Sequence, residues 1–229
     1  MYSYSALLPL LFATHYFKFA TMIRVHHLNN SRSQRVLWLL EEITTPYEIV
    51  RYQRDKKTML APRELRRVHP LGKSPVIEDG GRTFVETGLI VEYLVQRYGS
   101  DLAPPSDADL YWRFKYWLHY AEGSLMPPLL LKLVINRLGL LGLPARPFVS
   151  AQLRLHLDFL EGELDKGPWF LGERFSAADI MMSFPIEAAR ARGGLDETRP
   201  KLMGFLKRIH GRDAYKRALK IGGTYDYAQ

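Results

Sequence analysis

HHLNNSRSQRVLWLLEE, residues 26–42, runs a polar Asn-Asn-Ser-Arg-Ser knot straight into an apolar segment. The residues before it, MIRVHHL from Met22, are strand-like. From Ser33 to Thr44, Val36, Leu37, Leu39, Leu40 and Ile43 recur at helical spacing until Pro46 stops the run. A strand therefore hands over to a helix inside this stretch. Capping that helix uses one hydroxyl or amide side chain, so Ser31, Ser33, Arg32 and Arg35 together exceed what the helix start requires.

Working outward, YEIVRY (Tyr47 to Tyr52) reads as a second strand and TMLAPRELRRVHP as a short amphipathic helix cut off by Pro70. SPVIED and RTFVE flank Asp79-Gly80-Gly81, a tight-hairpin signal. TGLIVEYLVQRY follows with Leu89, Ile90, Tyr93, Leu94 and Arg97 at helical intervals. The order βαβαββα over residues 22–98 predicts a compact α/β sheet domain. GSDLAPPSDA then has the Gly, Ser and Pro content of a linker, placed at 99–106. Beyond it no strand is evident. Helical runs start at Asp107, Pro147, Ser176 and about Thr198, which makes residues 107–229 an all-α domain.

The 229-residue chain is 47% hydrophobic, enough for one good core or two small ones. Its net charge of +8 favours anionic partners, and nucleic acid, an acidic membrane surface and a small carboxylate ligand satisfy that sign equally. There is no cysteine, so the chain has no disulfide, no thiolate metal site and no thiol nucleophile of its own. Any thiol chemistry has to come from a bound small molecule. The seven histidines form no spaced ligand cluster, and no metal is expected. The basic run RYQRDKKTMLAPRELRR is interrupted by acids and accompanied by no nucleic-acid-binding motif, so nucleic acid is not an expected partner.

The opening segment carries an apolar run, Ala6–Ala13, far short of the ~20 residues of a membrane helix. No positive residue precedes it, as one would in a signal peptide. Residues 1–21 are expected to be a disordered or non-native extension, with Met22 the functional start, and no membrane partner is expected.

Three further motifs carry chemistry. In HPLGKSPVIEDGG, Pro75 stands at a strand entrance. If the Ser74–Pro75 bond is cis, the Ser74 backbone turns outward for an extended peptide ligand; an ordinary trans proline is the plainer alternative. VET (Val85 to Thr87) places a carboxylate, a hydroxyl and unpaired N–H groups at a helix N-terminus, suited to an anionic group, unless Thr87 only caps its own helix. FSAADI sets Ser176 three residues before Asp179, a capping box in its Asp variant with a role in stability.

Together, NNSRSQR, HPLGKSPVIEDGG and FVETGLIVEYL resemble the thioredoxin-like N-terminal domain of glutathione transferases, and FLGERFSAADIMMSFPI resembles that family's helical C-terminal domain. The resemblance runs from about Met22 to Ala218 and looks closest to serine-type bacterial and fungal cytosolic transferases. It implies that Ser31 hydrogen-bonds the glutathione sulfur, with Ser33 the alternate if the alignment slips, and that Arg35 follows as in related sequences. It implies that Ser74, before Pro75, pairs through its backbone with the cysteinyl part of glutathione. Glu86 and Thr87 would hold the γ-glutamyl end, and Lys73 would reach the glycyl carboxylate. Ser74 stands where the family often has Val, and Thr87 where it often has Ser; backbone pairing and a hydroxyl are kept in each case. Tyr116, Tyr120 and Met126 on the long helix are candidates for the electrophile pocket, although an aromatic stripe at helical spacing is often core. His119 is expected to be a surface or structural histidine.

The implied protein is a cytoplasmic homodimer serving detoxification, with glutathione as co-substrate, a small hydrophobic electrophile as second substrate and no metal. Glutathione-dependent peroxide reduction and a non-catalytic binding protein of the same fold are the alternatives.

Overall fold

The structure, a computed structural model, describes residues 22–104 and 108–228. The expectation for residues 1–21 lies outside the described residues. Strand β1 (Ile23–Leu28) is buried except at Arg24, as befits an inner strand covered on both faces. It lies between β2 (Tyr47–Tyr52), which runs parallel to it with Ile23 opposite Tyr47, and β3 (Val76–Asp79), which is antiparallel with Val25 opposite Ile77. β4 (Arg82–Val85) pairs antiparallel with β3, giving the order β2-β1-β3-β4. Gly80 and Gly81 both have positive φ, 56° and 75°, the conformation a two-residue hairpin turn needs and glycine supplies without a Cβ clash.

Helix α1 (Ser33–Glu42) is buried over its first eight residues, Ser33 to Leu40. A helix with one wet face cannot be. α1 lies against the sheet, α3 (Thr87–Tyr98) and two helices of the C-terminal half, so burial surrounds it. The expected helix over TMLAPRELRRVHP is shorter than predicted: α2 spans only Leu65–Val68, and Leu65 is its single buried residue. Arg66 and Arg67 are exposed, so no apolar face exists to hold a longer helix down. The buried Asp79 carboxylate accepts the hydroxyls of Tyr93 at 2.7 Å and Tyr98 at 2.5 Å, fastening α3 to the hairpin.

The C-terminal half comprises α4 (Ala108–Tyr120), α5 (Met126–Arg137), α6 (Arg146–Glu163), α7 (Ala177–Ala188), α8 (Pro200–Gly211) and α9 (Asp213–Gly222). A π-helical turn, Ala121–Leu125, joins α4 to α5, and Pro127 and Pro128 follow at the α5 start, where their missing N–H groups cost no internal bond. Two isolated β-bridges, Trp169 with Gly172 and Leu171 with Arg174, are the strand-like pairings described in this half.

α7 is buried at every residue and packs on α1, α3, α4 and α8. Its N-terminus carries the expected capping box: Ser176 Oγ accepts the Ala178 N–H at 3.2 Å, and Asp179 accepts the Ser176 N–H at 2.8 Å. Asp179 also accepts the Phe170 N–H at 2.8 Å, so the box holds the preceding loop as well. One continuous apolar core runs from Ile23 and Val25 through Leu37, Phe114 and Ile180 to Phe205, joining both halves. The end of α9 comes so close to α1 that a Cβ on Gly222 would lie 2.5 Å from Gln34 Oε1.

Candidate functional site

The knot at residues 29–33 is a turn between β1 and α1. Asn30 takes φ 48°, which an asparagine tolerates better than most residues. The two serines that follow are in different situations. Ser33 is fully buried, and its hydroxyl oxygen lies 2.9 Å from His27 Nδ1, 2.8 Å from Ser31 Oγ and 3.2 Å from both Leu28 N and Leu28 O. His27 Nε2 lies 3.1 Å from the Gly222 carbonyl, which can only accept, so the proton of a neutral ring sits on Nε2 and Nδ1 is an acceptor. Burial above all lowers the His27 pKa from 6.5 to about 4, with Arg51 pushing the same way, so the ring is neutral at pH 7. The Ser33 hydroxyl proton therefore has two acceptors, His27 Nδ1 and the Leu28 carbonyl, both on β1.

Ser31, 4% exposed, accepts the Ser33 N–H at 3.2 Å. Its own proton has Ser33 Oγ as the described partner. The Ser33 hydroxyl faces back to β1, and the side chain that accepts an N–H of this helix start is Ser31.

The Ser74–Pro75 bond is cis, Pro75 is buried, and Ser74 Oγ donates to the His26 carbonyl at 2.8 Å. The loop thereby sits beside β1, one strand end away from the serine turn. Lys73 is exposed on it. Glu86 is exposed and has φ 66° and ψ 120°, a conformation that costs a non-glycine residue on the order of 1–3 kcal/mol and that recurs where ligands are held. Glu86 occupies the N-cap position of α3 without a side-chain cap bond, and Thr87, 4% exposed, is the first helical residue, so Thr87 is not the cap of its own helix.

Of the proposed electrophile wall, only Tyr116 is open, at 46% exposure. Tyr120 and Met126 are corrected to core residues, 7% and 4% exposed; the Tyr120 hydroxyl is 2.6 Å from His156 Nδ1. The aromatic stripe that suggested a pocket is largely the α4 side of the core. His119 is exposed.

Sequence reasoning missed Glu122. Arg35 is 1% exposed, donates to the Met181 carbonyl at 2.6 Å and is ion-paired with Glu122, to which Arg32 also donates at 2.8 Å. Burial works to raise the Glu122 pKa, but Arg35 and Arg32 overcome it and hold the carboxyl below its ordinary range. The signal available was indirect: a buried arginine demands a buried acid, and Glu122 is an acid in an otherwise apolar stretch before Pro127. The tail was also missed. Asn30 N–H donates to the Thr224 carbonyl at 3.3 Å, and Asn30 and Asp226 exchange two further bonds of 2.7 and 2.8 Å, so the last described residues cover the turn before Ser31. Among the described residues no group of three or more His, Asp or Glu side chains is gathered to hold a metal ion.

Residues 20–96 match the family described as Glutathione S-transferase, N-terminal domain, and residues 144–208 match Glutathione S-transferase, C-terminal domain. Glutathione S-transferase 1 of Saccharomyces cerevisiae is 35% identical over 231 residues, covering 89% of this chain and 98% of its own. The chain belongs to the glutathione S-transferase family. Glutathione S-transferase 3 of Schizosaccharomyces pombe is 38% identical over 186 residues, 74% of this transferase and 75% of its own chain. A crystal structure of a glutathione S-transferase from Actinobacillus pleuropneumoniae superposes with a TM-score of 0.81 at 32% identity, over 91% of this chain and 96% of that one. The thioredoxin-like sheet domain followed by a helical domain is the architecture that the resemblance implied.

Proposed function

We propose that this glutathione transferase joins the glutathione thiolate to small hydrophobic electrophiles, with the Ser31 hydroxyl donating to the sulfur. The observation that carries the choice of serine is the hydrogen-bond order at the turn: the Ser33 proton has His27 Nδ1 and the Leu28 carbonyl, both on β1, as acceptors, whereas Ser31 keeps a rotatable proton at the N-terminus of α1. Lys73, the Ser74 backbone, Glu86 and Thr87 take the peptide part of glutathione in this reading. The strained Glu86 backbone supports it. Tyr116 contributes to the electrophile wall, and the protein acts as a cytoplasmic homodimer in detoxification.

The physics of the step is modest. A free thiol titrates near ~8.5 and is only about 3% ionised at pH 7; lowering it by ~2 units requires about 2.7 kcal/mol. A hydrogen bond to a charged acceptor supplies ~1.5–3 kcal/mol and a helix N-terminus ~0.3–1 more, so Ser31 and α1 suffice. Nucleophilicity falls with pKa at a slope of ~0.4–0.5, which leaves a gain of only a few-fold from thiolate enrichment. Holding the electrophile against the sulfur has to supply most of the remaining acceleration. The test is conjugation of an aryl halide by the parent, Ser31→Ala and Ser33→Ala, with glutathione affinity measured alongside. Equal activity of parent and Ser31→Ala would remove Ser31 from the mechanism.

A further inference from the structure

Helices α5 and α6 pack against one another and are joined by a 3-10 turn, Gly139–Ala145, that projects as a tip. From Leu138 to Phe148 every residue is exposed except Gly142. Leu140 and Leu141 are 82% and 84% exposed, and Leu138, Leu143 and Phe148 are 50%, 45% and 64% exposed. Apolar side chains this open in a row are unusual on a soluble surface. Their charge surroundings are one-sided: residues 123–157 contain Lys132, Arg137, Arg146 and Arg154 and no Asp or Glu. Arg137, Arg146 and Arg154 are exposed and have no ion-pair partner among the described residues.

We propose that the α5–α6 tip docks this protein on an anionic lipid bilayer, with Leu140, Leu141 and Phe148 entering the headgroup boundary and Arg137 and Arg146 facing lipid phosphates and carboxylates. A leucine and phenylalanine tip beside a basic rim is the chemistry of a surface that lies on a membrane. No described helix is long and apolar enough to cross one, so docking at the surface replaces the expectation of no membrane partner without implying a span. A second copy of the chain is a poorer occupant. A two-fold contact through this tip would set the same basic residues against each other with no acid in the segment to pair them.

The test is sedimentation of the full chain with vesicles of phosphatidylcholine alone and of phosphatidylcholine mixed with phosphatidylserine. Melting temperature and aryl halide conjugation serve as checks of folding. The expected result is binding to the phosphatidylserine vesicles that weakens with salt, and little binding to phosphatidylcholine alone. Each basic residue near such a surface contributes about fivefold in affinity, so Arg137→Glu with Arg146→Glu should weaken binding by at least about tenfold. Leu140→Asp with Leu141→Asp should weaken it comparably while leaving conjugation unchanged. Absence of parent binding at low salt overturns the proposal, as does undiminished binding by the leucine variant. Conversion of a dimer to a monomer by the leucine variant without vesicles overturns it in favour of self-association.

Discussion

His27 Nδ1 lies 2.9 Å from the Ser33 hydroxyl and accepts from it, because the Gly222 carbonyl, 3.1 Å from Nε2, fixes the ring as the Nε2–H tautomer; the Leu28 carbonyl, at 3.2 Å, is the second acceptor on β1. A bond between the end of α9 and β1 thus sets the hydrogen-bond order at the start of α1. The serine that remains adjustable is Ser31.

The same contact makes stability depend on pH. His27 is neutral in the fold because burial lowers its pKa from 6.5 to about 4, whereas the unfolded chain protonates it near 6.5. Between these values the unfolded state binds more protons, so the contribution is present above pH 6.5 and is lost as pH falls toward 4, by up to about 3 kcal/mol. Chemical denaturation across this range, with His27→Asn as the non-titrating comparison, should show the parent losing stability more steeply. A constant difference between the two proteins would contradict the assignment.

Arg35 and Glu122 join the two halves through a pair of which Arg35 is 1% exposed. Glu122→Ala leaves a buried guanidinium without its carboxylate and should cost about 3 kcal/mol, lowering Tm by about 10 °C. Glu122→Gln keeps an acceptor and should cost less. Thermal unfolding of both variants checks the order; equal, small losses would show that the pair carries little.

Ser176→Ala removes the cap of α7, a helix buried at every residue, and should cost about 1 kcal/mol. Tm should fall by a few degrees while turnover per folded molecule stays near the parent value. An unchanged Tm would contradict the stabilising role of the box.

Much of the architecture was legible because it is written in short-range signals. The Gly80-Gly81 turn, the Ser176–Asp179 box and the apolar period of α1 each act within a few residues, and each appears in the structure where its motif lies. What was illegible depends on distant partners. Glu122 meets Arg35 across 87 positions, and Asp226 meets Asn30 across 196, separations no local pattern encodes. Tyr120 and Met126 misled for a related reason: helical spacing identifies a face but not what covers it, and here the core does. At the α5–α6 tip Leu140 and Leu141 are apolar yet exposed, which residue type alone does not announce.

The thiolate role of Ser31 is the central claim, and the most direct measurement is the pH titration of the bound glutathione thiolate by its ultraviolet absorbance, in the parent and in Ser31→Ala. The account predicts that the variant still binds glutathione, that its thiol pKa rises by about 1–2 units, and that conjugation turnover falls by about tenfold or more at neutral pH. An unshifted thiolate titration in Ser31→Ala, with Ser33→Ala shifted instead, would contradict it.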